Sequence, residues 1–418
     1  MTERLYYTEP YRATFSAHVV EQLTWNDYPA VVLNRTAFYP LSGGQPADRG
    51  TLGGAEVTDV VERDSDHAVV HVLSQPIAQG EVRGEIDWPR RFDHMQQHSG
   101  QHVLSAAFLR ELGGDTVGFH IGEANGEGPL QGPRSSTIDI DLADLEMHDI
   151  AVVEALSNRI VWEDRPINVR FAGEAELAGQ AIRRPAEVEG PVRLVEISGD
   201  GRDVEASFDL NPCGGTHVAR TGEIGMIKLA GLEHRGKKTR IEFLCGNRAL
   251  RDYTTKHDIL SALAKTLTVG YWELEGSIER LLETNKELRR AERALQQSLL
   301  DLETQRLLDD AVPRGGFRVI GKVWDGREPE ALGRIARSLA EQADVVALLF
   351  SVGQRTHMCF TRGAAVDVDM NRLLQNACSR LGGKGGGRPH AAQGSAPAAD
   401  LADVEGLARE LATLVTPL

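Results

Sequence analysis

Over the first ninety positions, apolar and polar residues alternate in short runs. Ala30–Leu33, Val57–Val61 and Ala68–Leu73 are such runs, separated by Gly, Pro, Asp and Asn. This period of two predicts strands joined by tight turns, and residues 1–88 read as a β-barrel-like domain. The period then becomes helical. A helix that begins near Asp87 or Trp88 runs through Phe92, Met95, Leu104 and Leu109. Pro89 sits in its first turn, where a missing N–H costs nothing, and Gly113-Gly114 ends it. Residues 122–132 read as a loop, Ser136–Leu142 as a strand and 145–162 as a helix. Strand-like segments at Ile167–Phe171 and Val192–Ile197 lead into a glycine-bearing turn at Cys213. Strands near Ile224–Leu229 and Thr239–Leu244 close the region. Together 89–247 form a two-layer α+β domain, with helices on one face of a mostly antiparallel sheet.

From 248 to 312 the sequence becomes helical and charged. Leu281, Leu288, Leu295 and Leu302 recur every seven residues, with Ile278, Asn285 and Leu299 in the neighbouring seam position. That heptad fits a coiled coil, in which a seam Asn fixes register, or a hairpin packing on itself within one chain. After Pro313, strands at Phe317–Val323, Val345–Ser351 and His357–Thr361 alternate with helices near 328–341, 369–380 and 400–415. Residues 313–418 therefore form a small α/β domain carrying a glycine-rich loop at Gly382–Pro389. The whole is an α+β multidomain chain.

A length of 418 residues suits two or three domains. No apolar run reaches the ~20 residues of a membrane span, and the start has no signal-peptide pattern. Cys213, Cys245, Cys359 and Cys378 are too scattered for a disulfide framework, so a reducing, cytoplasmic setting is expected. A net charge of −15 argues against nucleic-acid binding, but phosphate contacts need only a local basic face. Arg183-Arg184, His234–Arg240 and the surroundings of Arg248 and Arg251 are such faces, or scattered solvated charges.

The chemical signal is His98-Ser-Gly-Gln-His102 on the predicted helix. Residues four apart share a face, so both imidazoles can reach one ion. Its second half is Cys213-Gly-Gly-Thr-His217, where the glycines let the backbone turn both side chains toward one point. His98, His102, Cys213 and His217 make a tetrahedral zinc set. A full protein shell describes a structural zinc, and a displaceable ligand describes a catalytic one; the sequence leaves both open. His94, one turn earlier, is a fifth imidazole or merely shares the face.

These motifs, followed by Thr221-Gly-Glu-Ile-Gly225, resemble the editing domain of alanyl-tRNA synthetases. Thr36-Ala-Phe-Tyr-Pro-Leu-Ser-Gly-Gly-Gln45, with Asp48 and Gly50, resembles that family's glycine-rich signature. Gly382–Pro389 with Ala392-Gln393-Gly394 resembles the C-terminal domain those synthetases share with some DHH phosphoesterases. Phe38-Tyr39-Pro40 falls within the first forty residues, leaving no room for an aminoacylation domain ahead of it. The chain is thus similar to the free-standing AlaX-type editing proteins in their long form. Two departures are Ser42, where glycine is frequent, and Ser99-Gly100-Gln101 between the histidines.

The resemblance implies a trans-editing hydrolase that deacylates mischarged Ser-tRNA(Ala), Gly-tRNA(Ala) or both at a zinc site. A pocket shaped for alanine rejects glycine and serine poorly, which is why a second hydrolytic sieve is needed. Thr36 and Gln45 are then the residues expected to hydrogen-bond substrate, with Thr36 sensing the serine hydroxyl; as plain chemistry, Thr36 equally suits a strand interior. The resemblance assigns the C-terminal domain to tRNA docking and, with the helical linker, to homodimerisation. Its glycine-rich loop could present N–H groups to phosphates beside Lys384 and Arg388, or be a tight turn. A catalytically silent tRNA-binding module and a hydrolase of another aminoacyl ester are the competing readings.

Overall fold

The computed structural model describes residues 2–123, 135–173, 191–199 and 207–415. Most of the expected 122–132 loop and the Arg183-Arg184 pair lie outside them. The chain is a multidomain α+β protein that divides into two compact units, Met1–Tyr271 and Trp272–Leu418. The expected boundaries at 88/89 and 247/248 fall inside the first unit, and that at 312/313 falls inside the second.

The first unit opens with a closed six-stranded barrel. Its strands are β1 (Thr14–Trp25), β2 (Tyr28–Leu33), β3 (Gly50–Leu52), β4 (Ala55–Glu62), β5 (Val69–Leu73) and β6 (Glu81–Ile86), in the order β1-β2-β5-β4-β3-β6. The inward residues of the alternation, among them Phe15, Leu33, Leu52, Val57 and Leu73, fill it. Closure removes every exposed strand edge.

Helix α1 (Trp88–Leu112) follows. Asp87 caps it by accepting from the Arg90 N–H, and Gly113, left-handed at φ 70°, stops it. From Arg91 to Phe108 every residue but the half-buried Phe92 is buried, so α1 runs through the centre of the unit rather than over its surface. Around it lie α2 (Met147–Trp162) and two antiparallel sheets. One joins β7 (Thr116–His120), β8 (Ser136–Ile140), β12 (Ile227–Arg235) and β13 (Lys238–Cys245), in the order β12-β13-β8-β7. The other pairs β9 (Ile167–Ala172), β10 (Val192–Ile197) and β11 (Asp209–Pro212) in sequence order. Cys213 directly follows β11, which fixes where its loop starts.

The strand expected at 224–229 begins later. Thr221–Ile224 is a 3-10 turn in which the Thr221 hydroxyl donates to the Ile160 carbonyl and accepts from the Arg165 N–H. Gly225, at φ 69°, ends it where a Cβ would lie 2.8 Å from Gly246 Cα. The Thr221–Gly225 motif is thus a brace between elements. The long helical region is two helices, α3 (Gly246–Leu267) and α4 (Leu274–Asp309), because Thr268 turns left-handed at φ 56°.

The second unit holds α4, a six-stranded sheet and three further helices: α5 (Pro329–Ala340), α6 (Met370–Leu381) and α7 (Leu401–Leu414). The sheet runs β14-β15-β16-β17-β19-β18, from β14 (Val312–Arg314), β15 (Phe317–Asp325), β16 (Val345–Val352), β17 (Arg355–Arg362), β18 (Lys384–Arg388) and β19 (Ala391–Pro397). Only β15 and β16 pair parallel. The glycine-rich segment is not a loop but the edge strand β18. A Cβ on Gly387 would lie 2.3 Å from the Ala391 oxygen, and one on Gly385 2.6 Å from Gly394 Cα. Close strand pairing therefore demands these glycines. Leu281, Leu288, Leu295, Leu299 and Leu302 along α4 are all exposed.

Candidate metal centre

His98 and His102 project from the middle of α1, and Cys213 and His217 from the loop after β11. The four donor atoms lie within 4.8 Å of one another. Cys213 Sγ is 3.4 Å from His98 Nε2 and 3.3 Å from His217 Nε2. Edges of about 3.3–3.6 Å are those of a tetrahedron around a cation bound at the usual nitrogen and sulfur distances. A set of three imidazoles and one thiolate suits a borderline divalent ion such as zinc.

The other ring nitrogen of each histidine is already held. His98 Nδ1 is 2.8 Å from Gln45 Oε1, His102 Nδ1 is 2.8 Å from Asp209 Oδ2, and His217 Nδ1 is 3.1 Å from Ser99 Oγ. Each Nε2 is thereby left as the free donor, the arrangement by which metal-site imidazoles are oriented and tuned. Burial alone would push the Cys213 thiol up, yet the His98 and His217 rings and the His102 hydrogen bond bring it well below its ordinary value. Burial likewise opposes the charged form of His102, but the Asp209 and Cys213 contacts raise it to about 9.

The short side chains between the ligands are specific. Ser99 receives His217 and the Val218 N–H. Gly100 leaves room for Cys245, whose sulfur would lie 2.3 Å from a Cβ there. Of the two glycines after Cys213, only Gly215 is forced, since its Cβ would meet His98 Cε1 at 2.1 Å. At Gly214 the nearest atom would be Tyr7 Oη at 3.8 Å. Gly215→Ala is therefore expected to displace His98 and abolish stoichiometric metal binding, while Gly214→Ala retains it; metal analysis of the two purified variants checks this.

Three of the four, His98, His102 and Cys213, line a cavity of ≈ 200 Å³. Tyr39, Ser42, Gln101, Thr116, Phe119 and Asn211 supply much of the rest. Gln101 Nε2 and the Thr116 hydroxyl both donate to Ser105 Oγ at 2.7 Å, a buried polar relay along one wall.

Thr36 and Gln45 are not among the cavity's lining residues. Gln45 stands behind His98 and also takes the Thr216 N–H and donates to the Thr216 hydroxyl, so it ties the glycine-rich segment to both half-sites. Thr36 is buried in the barrel, its hydroxyl 2.7 Å from His71 Nε2 and accepting from the Phe38 N–H. Burial lowers His71 to about 4 and keeps it neutral. The polar atoms of both residues are engaged by protein partners.

His94 is not among the four clustered donors. It is fully buried, and burial followed by the Arg90, Arg248 and Arg91 charges holds it well below its usual value. Arg248 is no part of a basic face either, being buried against Asp93 at 2.7 Å. In the exposed hairpin at 234–240, Arg235 pairs with Glu233 and Arg240 with Asp139. Sequence reasoning missed Asp209, Thr116, Phe119 and Asn211, whose spacing from the ligands shows no period; the β10–β11 pairing brings Asp209 to α1.

The described residues thus define a two-unit α+β protein with a buried His3Cys set beside a small cavity. Residues 192–242 match the model of the threonyl and alanyl tRNA synthetase second additional domain, and 316–413 match the DHHA1 domain. The alanyl-tRNA editing protein AlaX-L of Pyrococcus horikoshii is 30% identical, with 94% of each chain covered. The chain belongs to this family of alanyl-tRNA editing proteins. Alanyl-tRNA editing protein Aarsd1 of Danio rerio is 28% identical over 91% of this chain and 88% of its own. The alanine–tRNA ligase of Methanoregula boonei is 34% identical over 96% of this chain, which spans only 42% of that ligase's length. Among the described residues, no helix is long and apolar enough to cross a membrane.

Proposed function

We propose that the protein is a trans-editing hydrolase that cleaves the ester of Ser-tRNA(Ala), Gly-tRNA(Ala) or both, with zinc held by His98, His102, Cys213 and His217. The observation that carries this reading is the four-donor cluster, three of whose residues, His98, His102 and Cys213, line a cavity of ≈ 200 Å³. A structural zinc needs no cavity, and a silent tRNA-binding module needs neither. Zinc in such a set supplies Lewis acidity that polarises an ester carbonyl or acidifies water. The chain's own residues do the selecting. Gln101, Thr116 and Asn211 offer polar partners to a serine hydroxyl or to the amino group, while Phe119 and Tyr39 exclude bulk water. Gln45 acts by holding His98, and Thr36 by fixing the turn at Phe38 that leads to Tyr39. Gln45→Ala is expected to weaken zinc binding about 10- to 100-fold, read by competition with a chromophoric chelator.

The second unit serves tRNA docking in this reading. The exposed leucine seam of α4 supports a homodimer formed with a second copy. Initial deacylation rates on Ser-, Gly- and Ala-tRNA(Ala) test the proposal. It expects serine or glycine to be removed at least tenfold faster than alanine. Equal loss of all three would make the protein a general esterase, and binding without cleavage would make it a silent module.

A further inference from the structure

Arg193, on β10, grips Cys213 from both sides. Its carbonyl accepts the Cys213 N–H at 3.1 Å, and its Nη1 donates to the Cys213 carbonyl at 2.5 Å. Nε donates to the Tyr7 carbonyl at 3.2 Å, and the guanidinium lies 5.4 Å from the centre of the Tyr7 ring. The side chain is 7% exposed, and among the described residues no carboxylate pairs with it. Its Nη2 is buried without a hydrogen-bond partner. A buried cation left without an ion pair is costly, and a packing role alone would be filled more cheaply by an apolar side chain. The guanidinium is held on the backbone of Cys213 itself, and the negative charge of that residue's thiolate favours its protonated form. Asp209 gives the opposite case, since a carboxylate on His102 raises the donor strength of that ring.

We infer that Arg193 is a positioning residue for the sulfur ligand, whose positive charge draws electron density from the Cys213 thiolate. The site is thereby polarised, with His102 enriched by Asp209 and Cys213 weakened by Arg193. A weakened thiolate neutralises the bound cation less, and leaves more of its Lewis acidity for a substrate carbonyl. The inference rests on the metal-site reading above.

The test uses full-length protein loaded with Co²⁺ in place of zinc and reads the sulfur-to-cobalt charge-transfer band. Arg193→Met removes the charge and keeps much of the volume. The band is expected to move to lower energy, because a thiolate relieved of a neighbouring cation gives up its electron more readily. Arg193→Lys keeps the charge and is expected to stay close to the wild-type energy. A Met variant that binds one Co²⁺ with an unmoved band overturns the inference. If the Met variant does not fold, the Lys and Gln variants carry the comparison; indistinguishable bands in these two, one charged and one neutral, overturn it equally. Failure of wild-type protein to bind Co²⁺ would instead sink the metal reading itself.

Discussion

Cys213→Ala is expected to leave the chain folded, to strip most of its zinc, and to slow deacylation of Ser-tRNA(Ala) by on the order of a hundredfold or more. Loss of a group that merely orients a ligand costs 10- to 100-fold in affinity or activity, and loss of a ligand costs at least as much. Cys213 is also the only donor of the four that carries a negative charge when deprotonated, which the His98 and His217 contacts promote. The residue is only partly buried and follows a strand rather than sitting inside a core, so the fold survives its removal. Circular dichroism, metal content and single-turnover deacylation measured on one preparation check the three parts together. Activity at the wild-type level in a metal-free variant would remove zinc from the reaction.

Asp48→Ala is expected to cost about 3–5 kcal/mol of stability, because it strands a buried cation. Asp48 and Arg91 are both 0% exposed and hydrogen-bonded to each other. Arg91 also donates to the Pro10 and Ala37 carbonyls, and Asp48 accepts from the Tyr39 N–H. The pair therefore joins the glycine-rich segment to α1, the helix that carries two metal ligands. Without the carboxylate, Arg91 keeps its charge with only carbonyls to satisfy it. The effect is read as a lowered urea midpoint of the transition belonging to the first unit. A double change, Asp48→Ala with Arg91→Met, is expected to recover part of the loss, since it removes the stranded charge. A midpoint unchanged in the single variant would show that the pair contributes nothing to stability.

Much of this organisation is legible in the sequence where one physical rule acts locally. The alternation at Val57–Val61 reports a strand because the inside and outside of a barrel differ in polarity, and it became β4; the apolar run at Ala68–Leu73 became β5, which is buried on both faces. Gly113 stops α1 because few other residues take φ 70° without strain. The four ligands are visible because donor type and helical spacing are local properties. What is not legible depends on partners distant in sequence. Gly385 and Gly387 suggest a phosphate-facing loop or a tight turn until β19 is seen to press against them. Arg248 looks like part of a basic face until Asp93 on α1 is found against it. Thr36 stands in a signature that suggests substrate contact, yet its hydroxyl is taken by His71, thirty-five residues away. Ser99 and Gly100 look like filler, although one holds His217 and the other admits Cys245.

Zinc held by His98, His102, Cys213 and His217 is expected to drive deacylation of mischarged alanine tRNA. The most direct measurement is single-turnover deacylation of Ser-tRNA(Ala) by purified protein before zinc removal, after it, and after one equivalent is restored. Rapid loss of serine, near-complete arrest in the zinc-free protein and recovery on restoration are expected, with Ala-tRNA(Ala) spared throughout. Deacylation that persists at its original rate in zinc-free protein would contradict it.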